Sequence, residues 1–567
     1  MKRNSTLWSI VVVQAVLLQA LTGTVSHAGN IIKLAESGDF EPGSTNNVYS
    51  EISESPTLND AGQVSFNSDL RDSGFLQGYG IYLADGKSVT TVAHVGQPMP
   101  DLNGNFYSFY DLVALNSTSQ VFQANLRGTL GGGDDDTGIY QFNSGGLTQL
   151  AREGYATPDG NGIFKSLDNV PVRINRSGQT AFSCTTTSPK QVYVIYRSTD
   201  AVLTVMAFAK EASPDGNGQL YSFSDPALNN NGEVAFYSSL LSTNGSTEGF
   251  FKSDGNAVTV LARYGQIVPN GNGTFSSFRE TTPAFNDNGQ IAFESALGGT
   301  TGGSTDNAGL YRSDGVTMTE VARKGQFVPG GNGRFLDFGN TDVVAINNRG
   351  QVAFFADLTG TTGGTGDNAA ICLADGASII QVVRKGQAAP DGNGVFSGFG
   401  YPSINNKGQV AFTATLTGTS RGTLDNQGIF LADPSLGILQ VVRSGLMVGG
   451  ETLSNPEFLY GPNFGGLTGL NDNGQMAFWA GLNGNYAVFL WSLPEIISVA
   501  RVSNDVLVTV QAVGGTTNYV QATSTLGSSF TDIASVVLPG SGLVTTNVLD
   551  TGGATNTGRY YRIRQLP

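Results

Sequence analysis

The sequence predicts an all-β protein: an eight-bladed β-propeller closed by the mature N-terminal strand, followed by a small β-sandwich. Three observations lead to this prediction. A motif of the form Asn-x-x-Gly-Gln-Val-Ala-Phe recurs about every 59 residues. The segments between its copies are β-rich and alternate with period two, bounded by Gly, Asp and Asn. Glycine accounts for 77 of 567 residues, about twice its usual share, which suits many tight turns.

The repeat supplies the strands of one propeller blade. After each motif the chain carries Gly-Ile-Phe-x-x-Asp-Gly, then Val-x-Val-Ala-Arg-x-Gly-Gln, then Pro-x-Gly-Asn-Gly-x-Phe, which is about three clear strands and one short one. A degenerate copy starts at Asn116, where Ser119 replaces the glycine. We expect the repeated Asn and Gly to be structural; the pairs are Asn59 and Gly62, Asn175 and Gly178, Asn229 and Gly232, Asn286 and Gly289, Asn347 and Gly350, Asn405 and Gly408, and Asn471 and Gly474.

The two ends of the repeat region complement each other. The last copy stops after the strand at 486–490, and the missing Val-Ala-Arg-x-Gly piece matches 31–38 near the N-terminus. Pairing these halves would close a ring and remove two sheet edges. An open β-solenoid, the alternative, would carry atypical caps at its ends instead. We therefore expect the propeller to span 29–494 and the β-sandwich to span 495–567, where alternating strands continue without the repeat.

Residues 1–28 are typical of a secretory signal peptide. Lys2 and Arg3 precede an apolar stretch from Ile10 to Leu21, and Ser26-His27-Ala28 fits a cleavage site, which predicts a mature start at Gly29. The mature chain then carries 28 basic and 45 acidic residues, a net charge of −17. That charge disfavours nucleic acid as a partner. We expect an exported protein, extracellular, on the cell surface or periplasmic, without a transmembrane segment in the mature chain.

The Asn-x-x-Gly-x-Ala-Phe unit resembles the tandem-repeat secreted bacterial proteins named for the NxxGxxAF motif. The resemblance covers about 30–494 and implies an exported, β-propeller-like protein. The segment from Tyr519 to Arg562 resembles the C-terminal fibronectin-like modules of exported bacterial proteins. Neither resemblance implies a particular reaction or catalytic residues.

Histidine is scarce, which limits the catalytic and metal-binding sites that the chain can form. The mature chain has one histidine, His94, so Ser-His-Asp triads and zinc sites with several histidines are disfavoured. His94 occupies a repeat position that is arginine in five of the eight units; the arginines are Arg152, Arg263, Arg323, Arg384 and Arg443. A ring of guanidinium groups would suit acidic ligands. Because the arginine recurs in most units, we expect it to pair within its own blade instead.

The variable loops after Val-Ala-Phe are the predicted ligand rim. They fall at the same place in each unit and therefore cluster on one rim of the ring. Acidic and amide oxygens on glycine-rich loops suit a sugar hydroxyl or a hard cation such as calcium. We predict no cofactor and keep calcium at the rim as an alternative. The rim residues are Asp134, Asp135, Asp136, Asp306, Asn307, Asp367, Asn368, Asp425 and Asn426.

The functional prediction is a non-catalytic binding or scaffold protein that engages a glycan or a protein through one propeller rim. One alternative is a carbohydrate-active hydrolase or lyase, which a non-repeated Asp/Glu pair facing the central channel would favour. A purely structural surface or matrix protein is the other alternative. No catalytic residue is nominated, because the acidic residues are numerous and repetitive.

Overall fold

A computed structural model describes residues 9–16, 29–53, 55–110, 113–160, 162–167, 171–187, 191–241, 247–278, 282–339, 344–376, 378–458, 469–513, 517–525, 529–537, 543–555 and 558–565. Most of the predicted signal peptide, 1–8 and 17–28, lies outside these residues. Within them the fold is all-β, and the only helical elements are five short 3₁₀ turns: Gly132–Asp134, Gly303–Thr305, Gly364–Gly366, Gly422–Leu424 and Gly553–Thr555.

The repeat region forms eight antiparallel sheets of five strands each within the described residues. Their strands are as follows. Sheet 1 contains Val48–Ile52, Thr57–Leu58, Val64–Asp72, Phe75–Ala84 and Val89–His94. Sheet 2 contains Asn105–Phe109, Ala114–Leu115, Ser119–Arg127, Thr137–Asn143 and Gly146–Arg152. Sheet 3 contains Ile163–Ser166, Arg173–Ile174, Thr180–Thr187, Gln191–Thr199 and Val202–Phe208. Sheet 4 contains Gln219–Phe223, Ala227–Leu228, Val234–Leu241, Glu248–Ser253 and Val258–Arg263. Sheet 5 contains Thr274–Phe278, Ala284–Phe285, Ile291–Gly298, Ala308–Ser313 and Met318–Arg323. Sheet 6 contains Arg334–Asp337, Ala345–Ile346, Val352–Thr359, Ala369–Ala374 and Ile379–Arg384. Sheet 7 contains Val395–Phe399, Ser403–Ile404, Val410–Thr417, Gln427–Asp433 and Gly437–Arg443. Sheet 8 contains Met447–Val448, Glu451–Glu457, Met476–Leu482, Asn485–Ser492 and Asn30–Glu36.

Sheet 8 joins the two ends of the repeat region. Asn30–Glu36 pairs antiparallel with Asn485–Ser492, with Ile31 opposite Trp491. This is the pairing that the complementary half-units predict. The strand closest to the N-terminus of the repeat region thus covers an edge that the last repeat would otherwise leave open.

Each pair of consecutive sheets shares a hydrophobic cluster. Sheets 1 and 2, for example, bury Ile81, Phe106 and Phe122 together, and sheets 8 and 1 bury Leu490 with Tyr49. The clusters run through all eight neighbouring pairs, including the pair of sheets 8 and 1. The alternation of apolar residues therefore serves two neighbours at once, because each sheet buries one face against the preceding sheet and the other against the next. This closed cycle is a β-propeller-like arrangement.

The motif itself builds the turn between the second and third strands of each sheet. In sheet 6 the Asn347 carbonyl accepts a hydrogen bond from the Gly350 amide at 2.9 Å, and Gly350 has φ of 74°. A side chain is strained at this φ, so glycine is preferred there. Sheet 2 lacks one residue of the motif, and its turn closes instead between Asn116 and Ser119.

Two further sheets lie outside the repeats and share one core. One contains Ser9–Val16, Gly558–Gln565, Thr517–Thr523 and Thr531–Val537; the other contains Glu495–Val502, Asp505–Val513 and Leu543–Asp550. Val508, Val520 and Tyr561 are among the residues buried between them. Ser9–Val16, within the predicted signal peptide, pairs in parallel with Gly558–Gln565.

Candidate functional site

The repeated asparagines, one in each sheet, form a closed ring of hydrogen bonds around a central channel. Each Nδ2 donates to the main-chain carbonyl of the asparagine in the next sheet, and the last donates to the first. The donors and acceptors are Asn59 to Asn116 (2.9 Å), Asn116 to Asn175 (2.9 Å), Asn175 to Asn229 (3.0 Å), Asn229 to Asn286 (3.2 Å), Asn286 to Asn347 (2.9 Å), Asn347 to Asn405 (3.0 Å), Asn405 to Asn471 (3.0 Å) and Asn471 to Asn59 (2.9 Å). We call this set the Asn ring. It ties each sheet to the next at the axis.

The residues that follow these asparagines form a second ring at the opening of the channel, which we call the mouth ring. Its members are chemically unlike one another; they are Asp60, Ser117, Arg176, Asn230, Asp287, Asn348, Asn406 and Asp472. Side-chain oxygens in this ring accept main-chain N–H groups of the preceding member, as Asp287 does from Asn230 at 2.8 Å. These hydrogen bonds link consecutive members of the mouth ring from Arg176 through Asp472 to Asp60. The remaining arc of the ring runs from Asp60 past Ser117 to Arg176.

Arg176 spans that arc. Its guanidinium bonds Asp60, with Nε at 3.1 Å from Oδ2, and also bonds Asp472. Sheet 2 lies between, and the small Ser117 leaves room for the arginine to cross. Burial lowers the pKa of Arg176, but the two carboxylates raise it and it stays above its ordinary value. The side chains of Arg176, Asp60 and Asp472 are 56%, 41% and 27% exposed, so a ligand at the mouth can reach them.

The three carboxylates of the mouth ring are already bonded. Both oxygens of Asp60, of Asp287 and of Asp472 accept hydrogen bonds from main-chain N–H groups, from asparagine amides or from Arg176. A general acid must instead donate its own proton to the substrate. The arrangement therefore suits recognition of a polar ligand more than proton transfer.

The predicted rim residues lie in a different place, on the loops that contain the 3₁₀ turns. In sheet 7 the carboxylate of Asp425 accepts from Nδ2 of Asn393 at 2.9 Å, while Oδ1 of that asparagine accepts from the Ser420 amide at 2.7 Å. The same pair of bonds occurs in three other sheets: Asn103 with Asp135, Asn272 with Asp306, and Asn332 with Asp367. We call these contacts the loop clamps. They hold the rim loop to the Gly-Asn-Gly loop.

The five arginines at the repeat position of His94 add further contacts to these loops. Each of the five guanidinium groups donates to the main-chain carbonyl of the asparagine in the loop before the first strand of its sheet, and Arg152 also bonds Asp101 at 3.0 Å and Asp135 at 3.4 Å. Arg152, Arg323, Arg384 and Arg443 also donate through Nε to the carbonyl of the rim aspartate. All five thus pair within their own sheet. His94, at the same position in sheet 1, is exposed.

The clamp contacts shift the titration of the rim carboxylates. Burial raises the pKa of Asp425, but hydrogen bonds from Thr419 and Asn393 and the charge of Arg443 hold that pKa below its usual range. Of the other rim residues, Asp134 is exposed and lies 3.6 Å from Lys165, whereas Asn307 and Asn368 accept from Lys324 and Lys385. Asp136 and Asn426 are half-buried. Within the described residues, no group of three or more His, Cys, Asp or Glu side chains is placed to hold a metal ion.

A further carboxylate pair occurs in sheet 6. Asp337 and Asp357 lie directly opposite each other on the two innermost long strands. A β-bulge precedes the pair, as in sheets 4 and 7, where the equivalent residues are Ser222 with Ser239 and Gly398 with Thr415. Burial, and then the charge of Asp337, raise the pKa of Asp357, which Lys385 partly offsets.

Sequence reasoning did not single out the mouth ring or this carboxylate pair. The signal for the mouth ring was present: the residue after each repeated asparagine varies among Asp, Ser, Arg and Asn, although the asparagine itself repeats. The signal for the pair is that acidic residues in sheet 6 occupy two positions where most units carry Ser, Thr, Gly or Ala.

A family of unknown function, DUF7453, matches the chain in three overlapping segments, 19–194, 185–382 and 345–500. The chain belongs to DUF7453. The matched residues include the Asn ring, the mouth ring and the loop clamps. Because the same family matches three successive segments, the comparison agrees with a chain that is built from internal repeats. No curated protein matches the chain.

Several solved structures resemble this DUF7453 protein at low similarity. The polysaccharide lyase Uly1 is 8% identical over 82% of this chain and 100% of its own, with a TM-score of 0.33. A fungal lectin of Aleuria aurantia with a six-bladed β-propeller fold is 10% identical over 71% and 98%, with a TM-score of 0.25. The Penicillium chrysogenum α-L-arabinanase is 12% identical over 72% and 98%, with a TM-score of 0.25. Scores this low assign no function to the chain.

No helix among the described residues is long and apolar enough to cross a membrane.

Proposed function

We propose that this chain is an exported, non-catalytic binding protein, built as an eight-bladed β-propeller over 29–494 with a β-sandwich module over 495–567. The cyclic order of the Asn ring and the shared clusters support the propeller, and the two sheets around Val508 support the module. The proposal includes two resemblances: that of the repeats to secreted NxxGxxAF-repeat proteins, and that of the C-terminal module to fibronectin-like modules. So is export, which rests on the signal peptide features of 1–28.

The proposed ligand is hydroxyl-rich, such as a glycan, and it binds at the mouth ring. The observation that carries this proposal is the break in the repeat at the mouth, where Arg176 joins Asp60 and Asp472 on exposed side chains. Guanidinium, amide and carboxylate groups together offer the donors and acceptors that sugar hydroxyls need. The aspartates of the loop clamps, by contrast, have side chains that are only 7% to 19% exposed.

The test uses the mature protein, 29–567, with a panel of neutral and acidic polysaccharides. We expect retention in affinity electrophoresis without release of new reducing ends. Arg176→Ala and Asp287→Ala should weaken retention, because each removes groups that line the mouth. Arg349→Ala is the matched control, since Arg349 lies in the same motif in sheet 6 but is exposed outside the mouth ring. Retention that survives both mouth substitutions would overturn the assignment of the site.

One observation favours a second function, glycoside hydrolysis. Asp337 and Asp357 form a carboxylate pair in which the pKa of Asp357 is raised, and hydrolases use such pairs as acid and base or nucleophile. In that case new reducing ends should appear, and Asp357→Asn should abolish them. Asp69→Asn is the control, because Asp69 holds the equivalent motif position in sheet 1. Activity equal in both variants would exclude the pair.

A further inference from the structure

Below the mouth ring the wall of the channel is apolar. The residue before each conserved asparagine lines the same cavity of about 400 Å³ as the asparagines and the mouth ring; these residues are Leu58, Leu115, Ile174, Leu228, Phe285, Ile346, Ile404 and Leu470. Leu115 and Leu470 are buried, and the others are half-buried. Moving along the axis, the cavity thus passes from an apolar layer through the Asn ring to the charged mouth.

The Asn ring offers little to a ligand inside the channel. Taking Asn347 as an example, its Oδ1 accepts from the amides of Arg349 and Gln351, and its Nδ2 donates to Gln351 and to Asn405. Seven of the asparagines are bonded in this way, to Gln or Glu four residues on as well as to the next sheet. Because the polar groups of these asparagines are bonded within the protein, a ligand below the mouth would contact mainly the apolar side chains of the channel wall. An apolar wall of this kind suits contact with hydrocarbon groups.

We propose that the channel binds an amphiphile, with an unbranched alkyl chain inside the apolar wall and a cationic head group at the mouth ring. Eight side chains at one depth form a tube around the axis, which suits a linear chain. The volume lies within the range of small-molecule sites. Three carboxylates face one guanidinium at the mouth, and this excess of negative charge favours a cation. The proposal shares the mouth ring with the polar ligand above but rests on the wall beneath it.

The first experiment is isothermal titration of the mature protein with alkyltrimethylammonium salts of increasing chain length, below their micelle concentrations. Each added methylene should tighten binding about fourfold until the tube is full, because burial of one CH₂ corresponds to that ratio. Decanoate should bind about tenfold more weakly than decyltrimethylammonium, because its head repels the carboxylates. Affinity independent of chain length would overturn the site, and equal affinity for both heads would overturn the choice of a cation.

The second experiment places the probe in the channel. Leu228→Trp fills the tube, and decyltrimethylammonium affinity should fall at least about tenfold, the ratio that corresponds to two lost methylene contacts. Ile346→Thr is the gentler variant, which puts a hydroxyl into the apolar wall and should weaken binding about fourfold or more. Val316→Trp is the control, since Val316 is 96% exposed and lies outside the channel. Circular dichroism checks the fold of each variant.

The outcomes separate this proposal from the polar-ligand proposal. Loss of alkyl binding in Leu228→Trp and Ile346→Thr, but not in Val316→Trp, supports the channel site. Unchanged affinity in the two channel variants sinks it, whatever the polysaccharide assay gives. Polysaccharide retention lost in Arg176→Ala but kept in Ile346→Thr would support the mouth as a separate polar site.

Discussion

Removal of one member of the Asn ring tests whether the ring holds the sheets together. Asn347 is 3% exposed and its side chain makes four hydrogen bonds, of 2.8 to 3.0 Å, including the one to sheet 7. In Asn347→Ala the exposed Arg349 amide can turn to water, whereas the Gln351 amide and the buried Asn405 carbonyl lose partners. Net values of about 1 kcal/mol per bond, and somewhat more for an orphaned buried group, give a loss of about 3 kcal/mol.

The assay is urea unfolding of the mature chain followed by two signals. Trp479 and Trp491, the only tryptophans after Gly29, both lie in sheet 8, whereas circular dichroism reports on every sheet. If the ring unfolds as a unit, Asn347→Ala should shift both midpoints together. If neighbouring sheets behave independently, as in an open repeat array, circular dichroism should shift while the tryptophan signal does not. Arg349→Ala, on an exposed side chain two residues away, should cost under about 0.5 kcal/mol. Equal effects of the two substitutions would refute the role of the ring.

Four further predictions follow from the clamps, the carboxylates and the N-terminal segment. Arg152→Ala should cost about 3–5 kcal/mol in urea unfolding, since it leaves buried partners of a fully buried guanidinium unpaired, whereas His94→Ala at the same repeat position should cost under about 0.5 kcal/mol. Because the folded pKa of Asp357 is raised, the folded state binds more protons, so wild-type stability should fall as pH rises from about 4 through the folded pKa; Asp357→Asn should flatten that fall in midpoints measured from about pH 4 to 8. Thermal unfolding with calcium and with chelator should give the same curve, because four of the rim carboxylates are already bonded to asparagine amides, and a calcium-dependent rise in Tm would contradict this. N-terminal sequencing after secretion should begin at Gly29, and an intact Met1 would contradict the signal peptide.

The repeat made the sheets predictable. Each unit carries its own turn signals, its own alternation and a glycine where positive φ is required, so strands could be assigned locally. The antiparallel pairing of Asn30–Glu36 with Asn485–Ser492 also followed from sequence, because each half-unit lacked what the other contained.

The contacts between repeats were not predictable in the same way. The acceptor of each Asn ring bond is a main-chain carbonyl 54 to 66 residues away along the chain for the first seven bonds, and a carbonyl carries no residue-specific signal. The rim aspartates were predicted as ligand residues because their loops vary, but Asn393, 32 residues before Asp425, binds that carboxylate in the structure. Likewise Asp337 and Asp357 become neighbours only once the bulge sets their register.

The differences between the Asn ring, the loop clamps and the mouth ring indicate where a ligand should bind. The Asn ring is buried and its side chains are bonded within and between sheets, and the half-buried loop clamps repeat in four sheets, so the fold depends on both. Arg176 differs, because an ion pair on half-exposed side chains contributes only about 0–1 kcal/mol to stability. The fold therefore does not need an arginine at that position, and its contacts to Asp60 and Asp472 leave polar groups open to solvent at the axis. In a closed repeat, the residues that depart from the repeat are not needed for the fold. Here such residues lie at the mouth of the channel and at the carboxylate pair of sheet 6. These two places, rather than the repeated loops, are where a ligand of this protein should bind.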